Sequence, residues 1–237
     1  MKLDKIKNFI LDLFFPKKCL GCGKHNTYLC DDCFKKISNN GWVSLNCQKE
    51  FGLDRIISAA GYVDPLTRDL IKALKYGFAR ELAKPLSRLI IKHLESISFI
   101  STIPARHSPE AKPMAGGSIN STLIIPVPLH SRRLHERGFN QAELIAQEIA
   151  DYFQLPMKTD ILKRIRPTER QADLKNNKER KNNIKDAFEI NDFEPIKGKV
   201  VLLIDDVITS GATLSEAAKI LKQSGAKEVW AITVARG

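Results

Sequence analysis

From residue 123 onward, short apolar runs rich in β-formers alternate with stretches of helical period. Leu123–Val127, Thr159–Leu162, Ala187–Ile190, Val200–Asp205 and Val229–Val234 read as strands, and Gln141–Phe153 and Leu214–Ser224 as helices. Strands alternating with helices predict a parallel sheet covered by helices, with ligands bound beyond the carboxyl ends of the strands. Val201-Leu-Leu-Ile204 is continuously apolar, the mark of a strand buried on both faces.

The earlier half is patterned differently. Residues Arg55–Val63 alternate loosely and read as one or two strands. Asp64-Pro65 then opens a helix, with Asp64 as N-cap and Pro65 at the first helical position. Leu66, Leu70, Ile71 and Leu74 share one face, and Leu82, Leu86, Leu89 and Ile90 resume the stripe after Gly77, so a helical hairpin or kinked helix is expected. Its other positions carry Arg68, Lys72, Lys75, Arg80, Lys84, Arg88 and Lys92, a basic outer face whose ordinary explanation is solvation. Ser98–Thr122 has no period and holds three prolines and a Gly-Gly pair, so it reads as an insertion loop.

Composition narrows the class. The chain has 237 residues, 43% of them hydrophobic, with 13 Gly and 11 Pro, which excludes disordered and fibrous proteins and allows one full core plus a small annex. No run approaches the roughly 18 apolar residues that a membrane span needs. The apolar stretch Phe9–Phe15, expected as part of an N-terminal helix, is broken by Asp12 and followed by Pro16-Lys17-Lys18 rather than a cleavage site. A cytoplasmic protein is expected.

The formal charge of +11 is spread over everything except the C-terminal fifth. Its densest stretch is 161–185, with nine basic residues (Lys163, Arg164, Arg166, Arg170, Lys175, Lys178, Arg180, Lys181, Lys185) against three acidic ones. Such a stretch attracts phosphates or polyanions, unless it is simply a solvated loop.

Four of five cysteines fall in two C-x2-C pairs, Cys19/Cys22 and Cys30/Cys33. Two such knuckles supply the four tetrahedral thiolates that a structural Zn2+ prefers and leave no open position for catalysis. The same ligand set suits iron, and a disulfide framework is disfavoured in a cytosolic chain. His25 is expected in a loop, and Cys47 as a small buried residue. Residues 1–50 are therefore read as an N-terminal helix and zinc module, and 51–237 as the α/β domain with an insertion at about 98–122.

The chemistry concentrates at Val201–Thr213. Asp205-Asp206 at the end of a buried strand can accept hydrogen bonds from vicinal hydroxyls. Thr209-Ser-Gly-Ala-Thr213, leading into a helix, offers successive N–H groups, hydroxyls and a helix N-terminus to a phosphate monoester. Gly211 lets the backbone approach without a Cβ. Hydroxyls and phosphate read side by side describe a ribose 5-phosphate. Upstream, Ile125-Pro-Val-Pro-Leu-His130 is followed by Arg132, Arg133 and Arg137, and clustered guanidiniums after a strand suit a pyrophosphate.

The run Val201–Thr213 resembles the signature by which type I phosphoribosyltransferases bind 5-phosphoribosyl 1-pyrophosphate (PRPP). By that resemblance Asp205 and Asp206 hold the ribose and are the catalytic acids, and Thr209, Ser210, Gly211, Ala212 and Thr213 hold the phosphate. The string P-V-P-L-H-S-R-R-L-H-E-R-G-F-N-Q, together with Arg166-Pro-Thr-x-x-Gln171-x-x-Leu174, Arg180-x-x-Asn183 and the four-cysteine module, resembles the ComF/ComFC family of competence proteins and its relative GntX. The resemblance implies an α/β fold with a type I phosphoribosyltransferase-like parallel sheet, helices on both faces, and an N-terminal zinc module. It implies PRPP bound with Mg2+, and pyrophosphate displacement through an oxocarbenium-like transition state if catalysis occurs. As partners it implies single-stranded DNA, in uptake during natural transformation, and a competence helicase of ComFA type. Salvage phosphoribosyl transfer to an unidentified acceptor is the alternative, since no base-recognition element is recognisable.

Overall fold

The computed structural model describes residues 17–37, 41–45, 47, 51–77, 79–99, 121–168, 179 and 183–237. The expected N-terminal helix, most of the 98–122 insertion, and Arg170, Gln171, Leu174, Lys175, Lys178, Arg180 and Lys181 lie outside the described residues.

The described strands are β1 (Trp42–Leu45), β2 (Arg55–Gly61), β3 (Thr122–Pro126), β4 (Leu162–Arg164), β5 (Phe188–Ile190), β6 (Val200–Ile208) and β7 (Glu228–Arg236). The described α-helices are α1 (Asp31–Ile37), α2 (Pro65–Tyr76), α3 (Ala83–Ser96), α4 (Ser131–Arg137), α5 (Gln141–Phe153) and α6 (Ala212–Gln223). Five strands form one sheet in the order β1-β2-β7-β6-β3, parallel throughout except for the antiparallel edge strand β1.

Side chains alternate across the central strand. Leu202 and Ile204 of β6 pack with α2, α3 and α5 on one face, whereas Val201 and Leu203 pack with α6 on the other. The sheet is thus covered on both faces, and β6 is apolar on both.

The helices form where caps and periodicity coincide. Asp64 caps α2 by accepting from Thr67 N at 2.7 Å, and Thr67, Leu70, Ile71 and Leu74 are buried while Leu66 is half-buried. α3 buries Leu86, Leu89 and Ile90 as expected, and a 3-10 turn at Arg80–Leu82 joins the two helices.

Three features depart from the sequence expectation. Leu162–Arg164 and Phe188–Ile190 do not join the parallel sheet but pair with each other as a separate antiparallel ribbon. At three residues each they are too short to be placed by pattern, and residues 156–158 take the position beside β3 instead. Ser131–Arg137, which is not among the helices expected from the sequence, is the helix α4. It buries no residue, so it shows no apolar stripe; His130 caps its start and the left-handed Gly138 closes its end. Strand β1 arises in what reads as a polar join.

The cysteine module shares the main core. Leu29, Phe34 and Ile37 are buried in the same cluster as Leu70, Leu86 and Ile232. Arg88 of α3 lies 4.4 Å from the Phe34 ring centroid and pairs with Asp31 at 3.1 Å, and Lys17 reaches Glu81 at 2.7 Å.

Candidate functional site

Strand β6 continues past its apolar run, so Asp205 and Asp206 sit within its carboxyl half rather than at its last residue. Asp206 is only 3% exposed and Asp205 is half-buried. Asp205 Oδ1 accepts from the Asp206 N–H at 2.8 Å. Lys75, in the last turn of α2, places Nζ 2.7 Å from Asp206 Oδ1. The second oxygen, Asp206 Oδ2, is buried with no hydrogen-bond partner among the described residues.

Burial and the Asp206 carboxylate push Asp205 up to about 7, against the opposing pull of Lys75 and Arg164. Burial works to lower Lys75, but the Asp206 carboxylate outweighs it and raises the ammonium above its ordinary range.

The turn after β6 leads straight into α6. Gly211 stands at the helix N-cap with φ of +69°, a left-handed conformation that disfavours a side chain. A Cβ there would also come within 2.4 Å of the Phe51 ring, so Phe51 adds a second reason for glycine beyond open access to a phosphate. Thr209, Ser210, Gly211, Ala212 and Thr213 all line one cavity of about 520 Å3 together with Asp205 and Asp206.

The lining also holds three arginines, alongside the acidic Glu136. Arg133 and Arg137 from α4 line the cavity, as does Arg164 from the ribbon strand β4. Arg133 Nη2 donates to the Thr168 carbonyl at 2.7 Å, and Arg164 Nη2 donates to the Thr168 hydroxyl. Two guanidiniums therefore converge on one residue, and burial together with Arg133 lowers Arg164 to about 10. Arg164 Nε is buried with no partner among the described residues. Arg137 donates to Gln141 Oε1 and lies 5.6 Å from the Tyr76 ring centroid. Like charges held this close in a half-buried wall suit an anion with several oxygens. Arg132 does not itself line the cavity: its exposed guanidinium pairs at 3.0 Å with Glu136, an acidic residue that does line it. His130 serves as the α4 N-cap, its Nδ1 accepting from Arg132 N.

Sequence reasoning did not select Lys75, Arg164, Tyr62 or Tyr76, all of which line this cavity. For Lys75 a signal existed: it falls four residues after Ile71, at the margin of the buried stripe rather than opposite it. Arg164 was visible only as one member of a basic run.

The second constellation is the cysteine cluster. The sulfurs of Cys19, Cys22, Cys30 and Cys33 all lie within 4.8 Å of one another. Four thiolates about 2.3 Å from a tetrahedral Zn2+ sit about 3.8 Å apart, close to the 3.6 Å between Cys22 Sγ and Cys30 Sγ. The first knuckle is closed by Gly23 N–H to Cys19 O at 2.8 Å, and Cys30 N–H points at Cys19 Sγ at 3.4 Å. This donor set suits a structural metal such as zinc. His25 is exposed in a bridge with Lys18 and does not belong to the cluster. Cys47 is buried and donates to Ser44 O at 3.4 Å. No helix among the described residues is long and apolar enough to cross a membrane.

Most of the chain has counterparts among known proteins. Residues 140–237 match the phosphoribosyl transferase domain model. The chain is 31% identical over 226 residues to competence protein F of Haemophilus influenzae, covering 92% of this chain and 90% of that protein. It is 30% identical over 217 residues to the DNA utilization protein YhgH of Escherichia coli K12, covering 90% and 87% respectively. Similarity to competence protein ComFC of Streptococcus pneumoniae, 34% over 114 residues, covers 48% of this chain and 47% of that protein.

Proposed function

The chain belongs to the family of competence protein F, and on that premise we propose that it binds PRPP in the β6–α6 cavity and handles single-stranded DNA during uptake in natural transformation. The observation that carries the ligand reading is the arrangement of one cavity with three kinds of wall. Asp205 and Asp206 offer acceptors to the ribose hydroxyls, and the Thr209–Thr213 turn offers N–H and hydroxyl donors to the 5-phosphate. Arg133, Arg137 and Arg164 offer guanidiniums to the pyrophosphate. Arg132, expected among them, is left to the protein surface in this reading.

The DNA role is supported by what the relatives are called, competence and DNA utilization proteins, and by the excess of basic residues. A helicase of the competence machinery is the proposed protein partner, and the cytoplasm the proposed location. A second reading, phosphoribosyl transfer to a planar acceptor, is favoured by Tyr62 and Tyr76, whose side chains line the same cavity. In it, charge neutralisation of the leaving pyrophosphate by the arginines supplies the catalysis, and no nucleophile is required of the protein.

Calorimetric titration with PRPP, with and without Mg2+, tests the ligand reading. The Asp205→Ala/Asp206→Ala protein is expected to lose at least about tenfold in affinity; unchanged affinity removes the assignment. Single-strand affinity is expected to fall steeply with salt as counterions are released, and absence of binding at low salt removes the DNA role. Transformation of a gene deletion complemented with each variant separates competence from salvage metabolism.

A further inference from the structure

Two adjacent carboxylates in a cavity wall ordinarily gather a divalent cation, because oxygen ligands of like charge repel until a cation sits between them. At Asp206 a cation is already supplied by the protein. Lys75 Nζ sits 2.7 Å from Asp206 Oδ1, with the Asp206 side chain 4% and the Lys75 side chain 22% exposed. The backbone that carries Lys75 is fixed against the sheet, since Leu70, Ile71 and Leu74 of the same helix are wholly buried. Asp205 Oδ1 is engaged by the Asp206 N–H. Two oxygens remain: Asp206 Oδ2, a buried acceptor with no partner among the described residues, and Asp205 Oδ2, on the half-buried residue that lines the cavity beside it.

An acceptor held in place by an ammonium on its sister oxygen is suited to a hydroxyl donor. A divalent ion there would have to displace the ammonium or sit against it, at a Coulombic cost that grows in a poorly solvated wall. The acid pair therefore does not fit a protein-held Mg2+.

We propose that Lys75 is the positioning and specificity-determining residue of the acid pair: it stands in the place of a metal ion, fixes the Asp206 carboxylate through Oδ1, and bars divalent cations from binding the protein unaccompanied. The proposal rests on the reading of Asp205 and Asp206 as hydroxyl acceptors. A divalent cation then enters this site only on the phosphate oxygens of an incoming ligand.

The test uses Mn2+ in place of Mg2+ and contains no PRPP, so failure of PRPP to bind is a separate result. The full chain, purified with its zinc, is titrated with Mn2+ and the free ion is followed by electron paramagnetic resonance. The unsubstituted protein is expected to leave the free-ion signal undiminished at the acid pair. Lys75→Met is expected to bind Mn2+ at least about tenfold more tightly, and to lose that binding when Asp206→Asn is added. Lys75→Arg, which keeps the cation, is expected to behave as the unsubstituted protein. Equal Mn2+ binding by a folded Lys75→Met and the unsubstituted protein overturns the proposal. So does Mn2+ binding by the unsubstituted protein that Asp206→Asn abolishes, a measurement that does not depend on whether Lys75→Met folds.

Discussion

Asp205 shows how strongly one residue is governed by its surroundings. Burial and Asp206 raise its carboxyl to about 7, with Lys75 and Arg164 pulling the other way. Because the folded state holds this proton more tightly than the unfolded chain does, stability falls as pH rises from the ordinary carboxyl value of 3.8 to about 7 and then levels off. Asp205→Asn removes that cost. Its melting temperature, measured across this range by circular dichroism, is expected to gain on the unsubstituted protein up to about pH 7 and to hold the gain above it. Binding of a ligand through its hydroxyls is expected to strengthen as pH rises through about 7, where the folded carboxyl ionises, since only the ionised carboxylate is purely an acceptor. Lys75 and Asp205 also mark the limit of reading residues one at a time. Two acids beside a buried strand are conspicuous in a sequence, whereas a lysine among other lysines is not.

At the scale of elements, legibility followed apolar content. β6, α2, α5 and α6 were readable because burial imposes a period on them. α4 was not, because a helix that buries nothing has no stripe, and only its caps betray it. The ribbon of β4 and β5 was readable as short strands but not as a pair, since the alternation of a segment says nothing about its partner. These two elements hold the lining arginines. From their geometry, Arg133→Ala and Arg164→Ala are each expected to weaken binding of inorganic pyrophosphate by roughly tenfold, as loss of a charge-assisted contact does. Arg132→Ala, which removes an exposed guanidinium outside the lining, is expected to weaken it far less, the remaining effect coming from release of its partner Glu136, which lines the cavity. Pyrophosphate titrations of the three variants decide the point; an equal effect of Arg132→Ala would dissolve the distinction between the lining arginines and Arg132.

For the whole molecule, the four-cysteine module is joined to the α/β domain by packing rather than tethered to it. Cys19, Cys30, Cys33, Phe34 and Ile37 belong to the buried cluster that also holds Leu70, Leu86, Val234 and Ala235. A metal held by these four thiolates would therefore add its binding energy to the stability of the shared core. Removing the metal with a chelator is expected to lower the melting temperature of the whole chain in one calorimetric transition, and restoring Zn2+ to recover it. Two transitions, of which only the lower responds to metal, would show the module to be independent. The same metal loss is expected to leave the cavity walls themselves unaltered in composition, since no cysteine lines them.

By itself the sequence determined what depends on residues close together in the chain. That includes the paired C-x2-C knuckles, the buried strand with its acids and turn, the capped helices, and the family signature. Local spacing sets these, and spacing is what a sequence displays. Tertiary structure alone decided which distant side chains meet: that Lys75 from α2 closes on Asp206, that Arg164 rather than Arg132 joins Arg133, and that Phe51 covers Gly211. The reason is that burial is satisfied by the fold as a whole. Packing α2 on one face of the sheet and the ribbon near the other brings charges together that no local pattern places side by side.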